Sequence, residues 1–244
     1  MQHNIELQQA AGRVAWDFFE EVATLIHPSL NLLEIEELAR QRISEAGMKG
    51  AFLGFKGYPA VTCLSVNSAI VHGIPYSYEL KEGDVVAVDI GINNAGYLVD
   101  TARTYGVGSL STANSRLIQV TSDALNAVIP LCTEGTPIGD LGAVIQEIVE
   151  GAGFSIVEEL TGHGVGATLQ EEPSIPNYGK RGRGRKLEAG MVIAIEPITA
   201  IKPVRAAVLA DGWTIIAEPD VATAHFEHTL LVTDKEPIVF TRPK

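Results

Sequence analysis

Four acidic residues interrupt segments that are otherwise apolar, and no other feature of the sequence constrains the fold as strongly. They are Asp89 in VVAVDIG (85–91), Asp100 in GYLVDTA (96–102), Glu196 in MVIAIEP (191–197) and Glu227 in FEHTLLVT (226–233). Such β-rich apolar runs are typical of buried strands, yet none of the four contains Lys or Arg. Because a buried carboxylate without a partner is costly, the fold must supply a cation to these residues.

The first two acids are separated by the turn signal Asn93-Asn94-Ala95-Gly96. A hairpin centred between Asn94 and Ala95 would place Asp89 opposite Asp100, with their Cβ atoms roughly 5 Å apart on one face. Two like charges at that spacing repel each other unless a divalent ion lies between them. The alternative is that one of the two acids points to solvent at a strand end, and the two further acids make this alternative less favoured.

His163 lies in the glycine-rich segment GHGVG (162–166). Glycines on both sides would let the backbone bend and bring the imidazole close to a site. Four carboxylates and one imidazole form an oxygen-rich ligand set, which suits Mn, Fe(II), Co or Mg better than a thiolate zinc site does. Bridging carboxylates would let the five ligands hold two metal ions roughly 3.5–4 Å apart, as in two-metal hydrolases.

Two further histidines, His225 and His228, lie on either side of Glu227. Strand alternation predicts that neither shares a face with Glu227. We therefore expect them to support the structure or the ligands rather than to take part in the site directly.

The pattern of the N-terminal part of the chain returns after a shift of 106 residues, which aligns Gly47 with Gly153. Each copy reads as helix, short loop, helix, glycine and strands, and Asn31 and Glu34 predict the cap of the second helix in the first copy. The identity is low, so chance similarity remains an alternative to an ancestral duplication. The pattern favours an α+β fold of two pseudo-symmetric halves around a shared sheet, with a cleft between them.

Composition narrows the functional classes. The net charge of −12 argues against nucleic acid or an anionic membrane as the main ligand. Two cysteines, Cys63 and Cys132, are too few for a disulfide scaffold and fit a reducing compartment. The first ten residues are polar, and no apolar run approaches the roughly 20 residues that span a bilayer. These observations predict a soluble, cytoplasmic protein.

Several motifs occur together in a fixed order. They are GYPAVTCLSVN (57–67), HGIP (72–75), VDIG followed by LVDTA with the two aspartates eleven residues apart, GHGVG (162–166), IEP (195–197) and FEHT (226–229). Each motif alone is a weak signal, but the ordered set is specific. From about Ala51 to Val232 the chain resembles type I methionine aminopeptidases, which have the pita-bread metallopeptidase fold, with two α/β halves around a central antiparallel sheet. The resemblance implies a single catalytic domain, 1–244, with an N-terminal half of about 1–120 and a C-terminal half of about 121–244.

The resemblance implies a role for each matching residue. Asp89, Asp100, His163, Glu196 and Glu227 match the metal ligands of the family, and Asp100 and Glu227 would bridge the two ions. Glu196 would accept a proton from the metal-bridging water and pass it to the leaving amine. His72 of HGIP matches a histidine that contacts the substrate, and it would steady the tetrahedral intermediate. The cofactors implied are two divalent ions, Mn, Fe(II), Co or Zn.

Other matching residues concern the substrate. Tyr58, Cys63 and Trp213 match positions that line a methionine pocket. Phe52 and Phe55 fall at pocket positions too, although packing in the core would explain them equally well. Gln170 stands where the family has a second substrate-facing histidine. Glutamine can donate and accept hydrogen bonds but cannot carry a proton, so we expect slower or altered activity rather than none.

The activity implied is removal of the N-terminal methionine from nascent polypeptides whose second residue is small. The basic segment KRGRGRK (180–186) reads as a solvated loop, and the alternative is a transient electrostatic contact with ribosomal RNA. We expect a monomer, with neither DNA nor membrane as a partner. Two rival functions remain open, namely a related proline-specific peptidase and a non-catalytic or weakened pita-bread protein that acts in binding. Gln170 is the feature that favours the second rival.

Overall fold

The computed structural model describes residues 4–166 and 168–242. Ala167, in the segment between GHGVG and Gln170, lies outside the described residues, as do 1–3 and 243–244. The helices are α1 (Ile5–Leu25), α2 (Leu32–Glu45), α3 (Thr112–Val128) and α4 (Ile138–Gly151), with short 3-10 turns at Phe55–Gly57 and Ile129–Leu131. No helix in the described ranges has both the length and the apolar character that crossing a membrane requires.

Fifteen strands complete the described part of the fold. They are β1 (Lys49–Gly50), β2 (Thr62–Val66), β3 (Ala69–Val71), β4 (Val85–Asn94), β5 (Tyr97–Gly106), β6 (Ser155–Ile156), β7 (Thr161–Gly164), β8 (Glu171–Pro176), β9 (Val192–Ile195), β10 (Ile198–Ala200), β11 (Arg205–Val208), β12 (Ile215–Glu218), β13 (Thr223–His225), β14 (His228–Leu231) and β15 (Ile238–Val239). Two larger sheets hold the long strands. In the first sheet β4 is central: β5 pairs along its whole length, and β1 and β2 pair with successive parts of its other edge. The second sheet has the order β15-β14-β9-β7-β8.

The helices that follow the repeated pattern begin at equivalent positions in the sequence and have the same length. Leu32 and Ile138, which begin α2 and α4, are 106 residues apart, and both helices contain 14 residues. Gly47 and Gly153 follow these helices with φ angles of 67° and 86°, a conformation that glycine adopts without strain. The Asn31–Glu34 capping box predicted for α2 is present. The two halves are therefore alike in their helices, whereas a common ancestry for them stays a prediction.

Most buried apolar side chains form two large cores, and the first of them also takes in residues of the C-terminal half such as Val192 and Leu231. In the first, the fully buried side chains of Phe18, Phe19 and Val22 on α1 pack with residues of α2, β4 and β5. In the second, Leu141 and Ile145 of α4 pack with α3, β9 and β14. The two cores put helices on the outer faces, so the sheets meet in the middle of the molecule.

The β4–β5 hairpin differs from the predicted register by two residues. Asn94 pairs with Tyr97, so the loop contains only Ala95 and Gly96, whose φ angles are both positive (54° and 95°). Such two-residue turns match the twist of the strands. As a result Asp89 pairs with Ala102 rather than with Asp100. Asp100 is two residues from Ala102 and therefore lies on the same face of β5, so the two aspartates are diagonal neighbours on one face of the hairpin. The predicted register was wrong, but the two aspartates still lie close together.

Glu196 and Glu227 lie at strand ends rather than within strands. Glu196 follows β9 and precedes Pro197, and Glu227 immediately precedes β14. Proline has no N–H to donate to a ladder, which interrupts the sheet at Glu196. The two acids therefore lie where strands break, next to the junction of the two halves.

Candidate metal centre and active site

Five residues predicted as metal ligands converge where the two sheets meet. Asp89 comes from β4, Asp100 from β5, and His163 from β7, while Glu196 and Glu227 come from the strand ends described above. Ligand atoms of Asp100, His163 and Glu227 all lie within 4.8 Å of one another. The Nε2 atom of His163 is 3.4 Å from Oε1 of Glu196. The four carboxylate residues are all buried.

The carboxyl groups are in an environment that disfavours their charge. Burial raises the pKa of Asp100 to about 7, although a hydrogen bond with Asp89 opposes the shift. Burial, followed by repulsion from Asp100, raises the pKa of Asp89, Glu196 and Glu227 well above its ordinary value. One oxygen of Asp89 and one of Asp100 are buried without a hydrogen-bond partner. Among the described residues, only histidines form ion-pair contacts with this carboxylate set. Orphaned carboxylate oxygens of this kind fit a divalent cation.

Thr229 joins the two halves of the site, a role that the sequence did not reveal. The Asp100 N–H donates to Oγ1 of Thr229 over 2.8 Å, and that hydroxyl donates to the Asp100 carbonyl oxygen over 2.7 Å. The Glu227 N–H donates to the carbonyl oxygen of Ala102 over 3.0 Å. These bonds hold the backbone of an acid from each half in a fixed relation.

The glycines around His163 allow close packing rather than a bend, which corrects the prediction. Gly162 and Gly164 lie on the extended strand β7, between β9 and β8. A Cβ atom at Gly162 would collide with the carbonyl oxygen of Ala194, and one at Gly164 with that of Glu172. His163 Nδ1 is 3.0 Å from the Gly164 carbonyl oxygen, so Nδ1–H donates there and Nε2 is left for a metal. Burial lowers the pKa of His163, which favours the neutral imidazole that a metal requires.

An apolar cavity adjoins the five residues. Its walls include Tyr58, Cys63 and Trp213, and Phe52 and Phe55 also contribute to them. The Tyr58 ring is edge-on to Trp213 at a centroid distance of 5.1 Å and to Phe52 at 6.4 Å. The cavity contains about 740 Å³ of space, its open mouth included, which is the size of a site for a small ligand. Leu169 completes this wall and was not singled out in the sequence, because a single leucine carries no signal there.

His72 and Gln170 lie between this cavity and a neighbouring groove. Both residues line the two spaces, and the groove continues past Thr161 and Ser174. His72 has a φ of 57°, a left-handed backbone conformation that is uncommon for histidine. Burial, followed by repulsion from His163, lowers the pKa of His72, so its imidazole is neutral at pH 7. Gln170 is exposed, and its main-chain carbonyl oxygen accepts a hydrogen bond from Thr168 Oγ1 at 2.9 Å.

The prediction for His225 was wrong in its geometry. His225 lines the same cavity, and its Nε2 atom is 3.5 Å from Glu196 Oε2 and 3.9 Å from Glu227 Oε2. Alternation fails because β13 ends at His225 and β14 begins at His228, which leaves Glu227 outside both strands. His228 points elsewhere and pairs through Nδ1 with Thr241 Oγ1 at 2.8 Å.

Fold and site together define a metal-dependent hydrolase with the pita-bread fold. The chain belongs to metallopeptidase family M24, whose family model matches residues 6–234. A methionine aminopeptidase of Clostridium perfringens is 36% identical over 240 residues, which cover 98% of this chain and 96% of that protein. The crystal structure of methionine aminopeptidase from Thermotoga maritima superposes with a TM-score of 0.96 at 38% identity, covering 100% of this chain and 98% of that chain.

A more distant structure shares the fold alone. Prolidase from Pyrococcus furiosus superposes with a TM-score of 0.79 at 22% identity, and the match covers 100% of this chain but 65% of that chain. The comparisons confirm the fold class and the metallopeptidase class predicted from the sequence. The role of each site residue stays a prediction.

Proposed function

We propose that this chain is a methionine aminopeptidase that removes the N-terminal methionine from nascent polypeptides whose second residue is small. The observation that carries the proposal is an apolar, aromatic-walled cavity that ends at the five convergent side chains predicted as metal ligands. The full-length similarity to methionine aminopeptidases supports the same activity.

Two divalent ions, Mn, Fe(II), Co or Zn, would be held by Asp89, Asp100, His163, Glu196 and Glu227. Bound there, the ions would supply Lewis acidity and a nucleophile that is effective at neutral pH. The chain itself would supply the cavity for the methionine side chain, formed by Tyr58, Cys63 and Trp213.

Proton transfer is assigned to Glu196. Its carboxylate would take a proton from the attacking water and pass it to the leaving amine. The same group would therefore act first as a general base and then as a general acid. Burial and repulsion from Asp100 raise the pKa of this group in the metal-free protein. In the loaded site its carboxylate would carry the proton only between the two steps.

His72 and Gln170 would orient the scissile bond from the side of the groove. His72 is neutral and can donate a hydrogen bond to the oxygen that becomes negatively charged. Gln170 can donate from its amide nitrogen but cannot carry a charge. Loss of one donor to a developing oxyanion costs about 10²–10³ in rate, and Gln170 would recover part of this.

The basic segment 180–186 is a candidate contact with ribosomal RNA. All seven residues are exposed, and Arg181 pairs with Glu147 while Arg185 pairs with Glu188. Backbone bonds from Ile138 and Gly139 to the carbonyl oxygens of Arg185 and Arg183 fix the segment on the start of α4. A fixed basic segment near emerging chains would suit a monomeric cytoplasmic enzyme that acts on nascent polypeptides. Neutralising the five basic residues should reduce co-sedimentation with ribosomes, and unchanged co-sedimentation would remove this contact from the account.

The activity is tested with the peptides Met-Ala-Ser, Met-Lys-Ser and Ala-Pro. Metal-stripped protein is refilled with Mn, Co or Fe(II), and release of the first amino acid is measured. We expect metal-dependent release of methionine from Met-Ala-Ser only. Cleavage of Ala-Pro instead would favour the proline-specific rival. A folded protein that binds two ions and cleaves none of the peptides would favour the non-catalytic binding function. Gln170 is the sequence feature that favours this alternative.

A further inference from the structure

Both oxygens of Glu196 face an imidazole. Oε1 is 3.4 Å from Nε2 of His163, and Oε2 is 3.5 Å from Nε2 of His225. The same His225 nitrogen lies 3.9 Å from Oε2 of Glu227. If Glu196 and His163 both bind metal, Oε1 is the oxygen on the metal side. Oε2 is then the outer oxygen, and His225 is its neighbour.

His225 is fixed in place but its ring has no partner. The residue is 2% exposed, and neither ring nitrogen has a hydrogen-bond partner among the described residues. Its backbone is held on both sides by Thr104, whose Oγ1 accepts from the His225 N–H at 2.8 Å and donates to the His225 carbonyl oxygen at 2.7 Å. A buried polar group without a partner costs free energy. Burial of this ring without a partner therefore indicates that it has a function at the site.

We propose that His225 is a positioning residue, whose Nε2–H would close the 3.5 Å gap to the outer oxygen of Glu196 into a hydrogen bond and would steady the neighbouring carboxylate of Glu227. The inference rests on the proposed metal centre and deepens it. The hydrogen bond would turn Oε1 of Glu196 towards the metal side, where His163 lies. Groups that orient metal ligands in this way usually contribute about 10- to 100-fold in metal affinity or activity.

The test measures binding of Mn(II) or Co(II) to metal-stripped protein by isothermal titration calorimetry, with no peptide present. His225→Leu removes the donor, whereas His225→Gln keeps a donor of similar reach. We expect metal affinity to fall about 10- to 100-fold in His225→Leu and to stay within about threefold of the parent in His225→Gln. If His225→Leu does not fold, His225→Asn replaces it, because its shorter amide cannot reach Glu196.

His228→Leu is the matched control, since His228 is another buried imidazole, three residues along the chain, that bonds Thr241 instead of the site. It should lower the melting temperature of the metal-free protein without changing metal affinity. Two results would overturn the proposal. One is parent-like affinity in His225→Leu or His225→Asn, and the other is an affinity loss in His225→Gln as large as in His225→Leu. Since metal alone is the probe, failure of this inference is distinguishable from failure to release methionine.

Discussion

Removal of the metals should make the stability of this protein fall as pH rises from 5 to 8. Burial raises the pKa of Asp100 from its ordinary 3.8 to about 7, so the folded metal-free protein holds a proton that the unfolded chain releases. The stabilising effect of that proton is complete below pH 4 and is lost as pH rises through 7. About two pH units of the shift lie above pH 5, and at 1.36 kcal/mol per unit the loss is about 3 kcal/mol.

Thermal unfolding of metal-stripped protein, followed by circular dichroism, measures this loss. About 3 kcal/mol corresponds to roughly 6–12 °C in melting temperature for a chain of this size. Asp100→Asn is the control, because it keeps the shape of the side chain but removes its ionisation, together with its repulsion of Asp89, Glu196 and Glu227. We expect the parent to lose about 3 kcal/mol more than Asp100→Asn between pH 5 and pH 8, and added Mn(II) to reverse the loss at pH 8. Equal pH dependence in the two proteins would refute the reasoning.

Three substitutions test other parts of the account. Glu196→Gln should lower methionine release more than tenfold, because the proton acceptor is lost; parent-like turnover would exclude the assigned role. Gln170→His should raise turnover of Met-Ala-Ser about tenfold or more if the missing imidazole limits the rate, and a fall would show that glutamine is the better partner in this site. Gly162→Ala should lower the melting temperature and weaken metal binding, since its methyl group would meet the carbonyl oxygen of Ala194 and displace β7; an unchanged melting temperature would contradict the close packing.

The convergence of the candidate ligands could be predicted because its signal is chemical and local. An acid in an apolar run without a basic neighbour requires a cation wherever the run ends up in the fold. The α2 cap was predictable for a similar reason, since Asn31 and Glu34 meet each other within one turn of helix. Neither inference needed the long-range arrangement of the strands.

The sequence-based predictions were wrong or incomplete where contacts between distant parts of the chain determine the geometry. The hairpin register depends on whether the loop contains Ala95 and Gly96 alone, and the sequence Asn-Asn-Ala-Gly permits more than one choice. His225 was misplaced because strand alternation was extended across the break at Glu227. Thr229 gave no signal, since its contact with Asp100 joins positions 129 residues apart.

The most direct test of the central claim is a metal titration of peptidase activity. Manganese, cobalt or Fe(II) is added stepwise to metal-stripped protein, and release of methionine from Met-Ala-Ser is measured together with the number of ions bound per chain. We expect that release of methionine is absent without metal, rises as the ions bind, and fails in Asp100→Asn. Methionine release that is independent of metal, or its absence in a folded chain with two ions bound, would contradict the account.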